Sequence, residues 1–99
     1  MPIAKAIADG TVLAEATTWE EVEGNIYFPH SAIKDASLLV PTDLSTFCPW
    51  KGHASYYSVV MGDKTIPNAA WYYAEPYDAA MKIKGHVAFY TSKIDVTVE

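Results

Sequence analysis

Apolar and polar residues alternate in short stretches along this chain, and turn-forming residues separate the stretches. A period-two pattern over roughly four to eight residues predicts β-strands with one buried face. The clearest unit is KAIADGTVLAEAT, residues 5–17. Asp9-Gly10 is a favoured two-residue hairpin turn with an apolar run on either side, and Val12, Ala14 and Ala16 share one face of the second arm. TWEEVEGN (18–25) reads as an acidic connector closing on a turn at Gly24-Asn25, and IYF (26–28) as a short strand ending at Pro29. HSAIKDA (30–36) fits one helical turn, too short to stand alone. SLLV (37–40) reads as a buried strand stopped by Pro41, and PTDLSTFCP (41–49) as a loop.

The longest strand is predicted at HASYYSVVM (53–61), which turns at Gly62-Asp63 and is answered by NAAWYYA (68–74). YDAAMKI (77–83) is the best helical segment, ended by Gly85. HVAFY (86–90) and IDVTVE (94–99) complete a count of about eight strands and two small helices. Long amphipathic periodicity is absent, which excludes a βαβ protein. The expected fold is a single domain over 1–99, mainly β, with antiparallel strands folded into a small sandwich or half-open barrel.

Composition narrows the partners. The chain has 99 residues and a net charge of −5, and its seven basic residues are all lysines. Without arginine, bidentate recognition of phosphates or guanine edges is missing, so nucleic acid is not an expected partner. The lone cysteine, Cys48, excludes an internal disulfide and fits a reducing compartment. The first residues, MPIAKAIADG, hold no long apolar run, so neither a secretory signal nor a membrane span is expected there. The expected location is the cytoplasm.

Four stretches appear in a distinctive order: EGNIYFP (23–29), TFCPWKGHASYYSV (46–59), AAWYYAEP (69–76) and IKGHVAFY (83–90). Together they resemble a family known as domain of unknown function (DUF) 427, also labelled nucleotidyltransferase-like. The resemblance implies a small, mostly β fold similar to the β-tent (Mss4-like) group, and it carries no settled activity. Its signature positions fall on Tyr27, Phe28, Pro29, Thr46, Cys48, Pro49, Lys51, Gly52, Ala54, Tyr56, Ser58, Trp71, Tyr73, Pro76, Gly85, Ala88, Phe89 and Tyr90. Ala16 stands where many members have serine. The paired cysteines that hold zinc in many β-tent proteins are missing here. The transferase label finds no support in the residues: there is no Asp-x-Asp and no glycine-rich phosphate loop.

Two chemistries remain open. In the first, Trp50, Lys51, His53, Tyr57, Trp71 and Tyr73 line a pocket for a small anionic or planar ligand. Lys51 supplies charge and the aromatic rings supply stacking area. Tyr57 is expected to face Trp71 and Tyr73 across the hairpin. In the second, Cys48 is a nucleophile or redox thiol with His53 as its proton partner. A third reading is an interaction module without chemistry, a homodimer pairing exposed strand edges. No metal or cofactor is expected, because Cys48 and histidines 30, 53 and 86 match no standard ligand spacing.

Overall fold

The computed structural model describes every residue, Met1–Glu99, and the architecture is mainly β. Nine strands run in chain order: β1 (Ala4–Ala8), β2 (Thr11–Ala16), β3 (Glu20–Val22), β4 (Asn25–Tyr27), β5 (Leu39–Cys48), β6 (Gly52–Met61), β7 (Lys64–Tyr72), β8 (Val87–Phe89) and β9 (Asp95–Val98). They form three antiparallel sheets, none closed into a barrel: β2-β1-β9, the hairpin β3-β4, and β5-β6-β7-β8. No helix is long and apolar enough to cross a membrane.

The β1–β2 turn is as predicted. Asp9 and Gly10 both take positive φ, which lets a two-residue turn match the twist of its strands. The acidic stretch 20–22 is not a connector but a strand. Its turn is Glu23-Gly24, one residue earlier than expected, again with both φ values positive. The helical expectations reduce to short 3-10 turns at His30–Ala32 and Asp78–Ile83, the latter kinked at Ala80, and a third such turn, Ala36–Leu38, replaces the first half of the strand expected at 37–40.

The largest departure is residues 41–48, expected as loop and found as part of β5. β5 is an edge strand, so Pro41 interrupts no ladder on its open side. The strand also bulges: Pro41 pairs with Tyr57 and Ser45 with Ser55, so Thr42, Asp43 and Leu44 stand against Tyr56 alone. A matching irregularity lies in β7. Between the pairs Val59–Ile66 and Tyr57–Ala70, residues 67–69 stand against Ser58 alone. Pro67 therefore falls where the ladder is already broken.

The four-stranded sheet is covered on both faces. Toward β1 and β2 it presents Val59, Ala70, Val87 and Phe89, which join Ala4, Ala6, Ala8, Leu13, Ala14, Phe28 and Ile94 in an aliphatic core. Its other face presents Ala54, Tyr56, Trp71, Tyr73 and Ala88, packed with Val22 and Tyr27 of the β3–β4 hairpin and with Ala80 and Ile83. The hairpin is held beside β8 by reciprocal backbone hydrogen bonds between Phe28 and Val87, each 2.8 Å.

Candidate functional site

Strand parity sorts the aromatic residues. The two-residue turn Gly62-Asp63 pairs Met61 with Lys64, so odd-numbered residues of β6 oppose even-numbered ones of β7. The bulge adds two residues and preserves that parity, which puts Tyr56 opposite Trp71 and Tyr57 opposite Ala70. Tyr57 therefore does not face Trp71 and Tyr73. It stacks on Tyr72 on the other side of the sheet, with ring centroids 4.7 Å apart. Counting outward from the turn would have found Tyr56 in its place.

His53 is separated from Cys48 for the same reason. Phe47 pairs with His53 and Cys48 with Gly52, so successive residues send the imidazole and the thiol to opposite faces. The exposed His53 ring lies against Phe47, at 5.0 Å. A Cys48–His53 proton partnership has no geometric basis.

The face carrying Trp71 is unusually rich in polar tips. Trp71 donates its indole N–H to the Tyr27 hydroxyl at 3.1 Å and packs its ring on Tyr90 at 4.5 Å. The Tyr56 and Tyr90 rings are nearly parallel, with hydroxyl oxygens 3.3 Å apart. Tyr56 also shares a 2.9 Å hydrogen bond with the Thr46 hydroxyl. Burial pushes the Tyr90 phenol up to about 12, and its hydrogen bond to Tyr56 adds to the shift. Burial likewise raises Tyr73, although the Lys51 ammonium opposes it. Of the positions implied by the family resemblance, Tyr27, Thr46, Tyr56, Trp71, Tyr73 and Tyr90 thus gather in one polar network or beside it.

Lys51 closes one end of this face. It is only 7% exposed, and its ammonium lies 5.5 Å from the ring centres of both Trp50 and Tyr73. Burial disfavours the charged form, but the hydrogen bond and charge of Glu23 from the β3–β4 turn, together with the neighbouring Tyr27 and Tyr73, outweigh it and the pKa rises. Its hydrogen bond to Lys51 in turn lowers the Glu23 carboxyl. Gly52 makes this packing possible. Its φ of +111° suits glycine, and a Cβ there would meet the Glu75 carbonyl at 3.5 Å and Tyr77 at 3.6 Å, where the Tyr77 amide donates to the Lys51 carbonyl. Lys51, Trp50 and Tyr73 lie together with the ammonium already paired to Glu23, while Trp71 shares the buried face with Tyr73 and packs on Tyr27 and Tyr90.

The opening lies at the other end. The β5 and β7 bulges flank Tyr56 and its neighbour Ser58, and they are tied together across β6 by a 2.7 Å hydrogen bond from Thr42 to Asn68. Asn68 sits at φ +48°, and its backbone N–H donates to the Ser58 hydroxyl. Beside them is a cleft of 380 Å³ lined by Leu44, Tyr56, Asn68, Tyr90, Ser92 and Lys93. The Lys93 ammonium donates to the Pro67 carbonyl and stands 5.7 Å from the Tyr90 ring centre. Leu44, Asn68 and Lys93 carry no motif in the sequence. Paired bulges, invisible to alternation, bring Leu44 and Asn68 to the cleft, and the turn after β8, closed by the Lys93 amide on the Tyr90 carbonyl, brings Lys93.

No group of three or more histidine, cysteine or carboxylate side chains is clustered for metal binding. No curated protein matches the chain. One family model, described as Domain of unknown function (DUF427), matches residues 4–99. The match covers all but three residues at the amino end, and the chain belongs to the DUF427 family.

Proposed function

We propose that this protein binds a small planar molecule in the cleft between the two bulges, at the open end of its tyrosine-bearing face. The observation that carries this reading is the cleft itself: 380 Å³ at the edge of the Tyr56–Tyr90 pair, with hydroxyls, an amide and an ammonium along its walls. That volume falls within the range of small-molecule sites, and convergent polar groups on an aromatic floor are what fixes a ligand's orientation in them. Bulges serve such sites by re-aiming side chains that regular pairing would send elsewhere. Lys51, Trp71 and Tyr73 act here as the buried support that holds the Tyr90 ring in place, not as ligand contacts.

A thermal-shift screen of small planar acids, amides and heterocycles tests this. At least one class is expected to raise the melting temperature in a saturable way. Ser92→Trp, on the exposed rim, fills the cleft and abolishes the gain, while Tyr57→Phe on the opposite face preserves it. A gain that survives Ser92→Trp places the ligand somewhere else and defeats the proposal.

A further inference from the structure

The hydroxyl chain in the cleft has a proton count that constrains its ligand. Thr46, Tyr56 and Tyr90 contribute three O–H donors, and their two mutual contacts use two of them. One O–H is therefore left to point out of the chain. The Thr46–Tyr56 contact, at 2.9 Å, is of ordinary length, whereas the Tyr56–Tyr90 contact, at 3.3 Å, is slack for a hydroxyl pair. The Tyr90 hydroxyl is held in the chain by the slack contact alone, and the Lys93 ammonium packs over its ring. An ammonium has three donors, and Pro67 takes one of those on Lys93.

The electrostatics agree. Lys93 is the only charged residue among the six that line the cleft, in a protein whose overall charge is −5. The Tyr90 phenol, pushed up to about 12 by burial, stays protonated, so this end of the cleft offers a donor rather than a phenolate. Two donors beside an aromatic floor, with no carboxylate in the wall, match an acceptor that carries negative charge.

From these groups we infer that the ligand is a small organic anion, a carboxylate or phosphate on a compact ring. Its charged group is held between the Lys93 ammonium and the Tyr90 hydroxyl, and its ring lies toward Leu44 and the Tyr56 edge. This rests on the proposed use of the cleft and specifies what fills it.

The probes are benzoate, its neutral analogue benzamide, and phenyl phosphate, each titrated by calorimetry into the wild type, Lys93→Met and Tyr90→Phe. Methionine keeps the apolar stem of an exposed side chain, and phenylalanine keeps the ring, so both variants are expected to retain the fold, which circular dichroism checks. At least one anion is expected to bind about tenfold or more tightly than benzamide, the scale of a charge-assisted hydrogen bond. Whichever anion binds better identifies the carboxylate or the phosphate class. Lys93→Met removes the preference over benzamide, and Tyr90→Phe weakens the anion by a smaller factor. Benzamide binding as well as both anions overturns the anionic ligand but leaves the cleft as a binding site. Equal affinities in Lys93→Met and the wild type overturn it as well. Failure of all three probes to bind saturably counts against the anion and the cleft together.

Discussion

The two faces of the four-stranded sheet are built from the same strands and differ in chemistry residue by residue. Tyr27 goes to one side and Phe28 to the other, and the same division separates Tyr56 from Tyr57 and Ala88 from Phe89. The face toward β1 and β2 buries small aliphatic side chains, among them Ala4, Ala6, Ala8 and Ala14, which let two sheets approach closely, with the partly buried Tyr57 and Tyr72 packed against them. The opposite face buries four tyrosines or their near edges, a tryptophan and a lysine, and every buried polar side-chain atom has a partner. An apolar layer tolerates small shifts of its side chains. A layer of satisfied hydroxyls demands far more exact placement for no greater burial, and it is the layer that ends in an open cleft.

Stability should therefore come chiefly from the aliphatic side, and the largest expected effect is there. Phe28 is fully buried and packs edge-on against Phe89 at 5.7 Å. Phe28→Ala is expected to cost about 3–5 kcal/mol in urea unfolding, from lost transfer energy plus the cavity left behind. Its chain neighbour gives the matched case. Tyr27→Phe keeps the ring and strips the hydroxyl that Trp71 donates to, for a cost of about 1–3 kcal/mol as the buried indole N–H loses its partner. Equal costs for the two substitutions would mean that the polar face bears as much of the stability as the aliphatic one, and the contrast would fail.

Much of this arrangement was legible in the chain. Alternation placed the strands around Asp9-Gly10 and Gly62-Asp63, because a two-residue turn and a period of two leave little freedom. The acidic strand 20–22 was not, since its outward glutamates mask a single buried residue, Val22. β5 was hidden by Pro41, which reads as a stop unless the strand is known to lie on an edge. The nearness of Lys51 to Tyr73 could be read from the chain, but not that Glu23 already occupies the ammonium. The cleft was the least legible part. It depends on two extra-residue bulges and a Thr42–Asn68 hydrogen bond, which are properties of paired strands and not of either strand alone.

The Lys51–Glu23 pair tests whether the polar face is sealed electrostatically. Lys51→Met keeps most of the stem between Trp50 and Tyr73 and leaves an exposed carboxylate free to rehydrate, so the cost at neutral pH is about 1 kcal/mol or less. The pH dependence is the sharper reading. The lowered Glu23 pKa gives stability that is present above the ordinary 4.5 and lost as pH falls below it. The raised Lys51 pKa gives stability that is full below 10.5 and lost as pH rises past it. The difference between wild type and variant should be flat between those values and shrink outside them. A difference unchanged at pH 3 would show that the two groups pin the hairpin by packing alone.

The smallest effect expected comes from Tyr90. At neutral pH, Tyr90→Phe gives up only the 3.3 Å contact with Tyr56, which keeps Thr46 as a partner, so the cost is under about 1 kcal/mol. Alkaline pH changes the comparison. In the unfolded chain the phenol ionises near 10, whereas in the folded protein burial and the Tyr56 hydroxyl hold it to about 12. A tyrosine whose pKa is raised on folding contributes no loss below 10, then destabilises as pH climbs toward 12, because the unfolded chain gives up the proton first. The wild type should therefore lose its small advantage over Tyr90→Phe across that interval and fall behind it, with solvent screening trimming the size of the crossing. Tyr57 is the counterpart on the other face. Burial and the neighbouring Tyr72 raise it too, so Tyr57→Phe should drift in the same direction. Urea unfolding of the three proteins from pH 9 to pH 12 separates the cases. If Tyr57→Phe crosses the wild type and Tyr90→Phe does not, then the Tyr90 hydroxyl is hydrated through the cleft, and the donor invoked there for an anion is already satisfied by water.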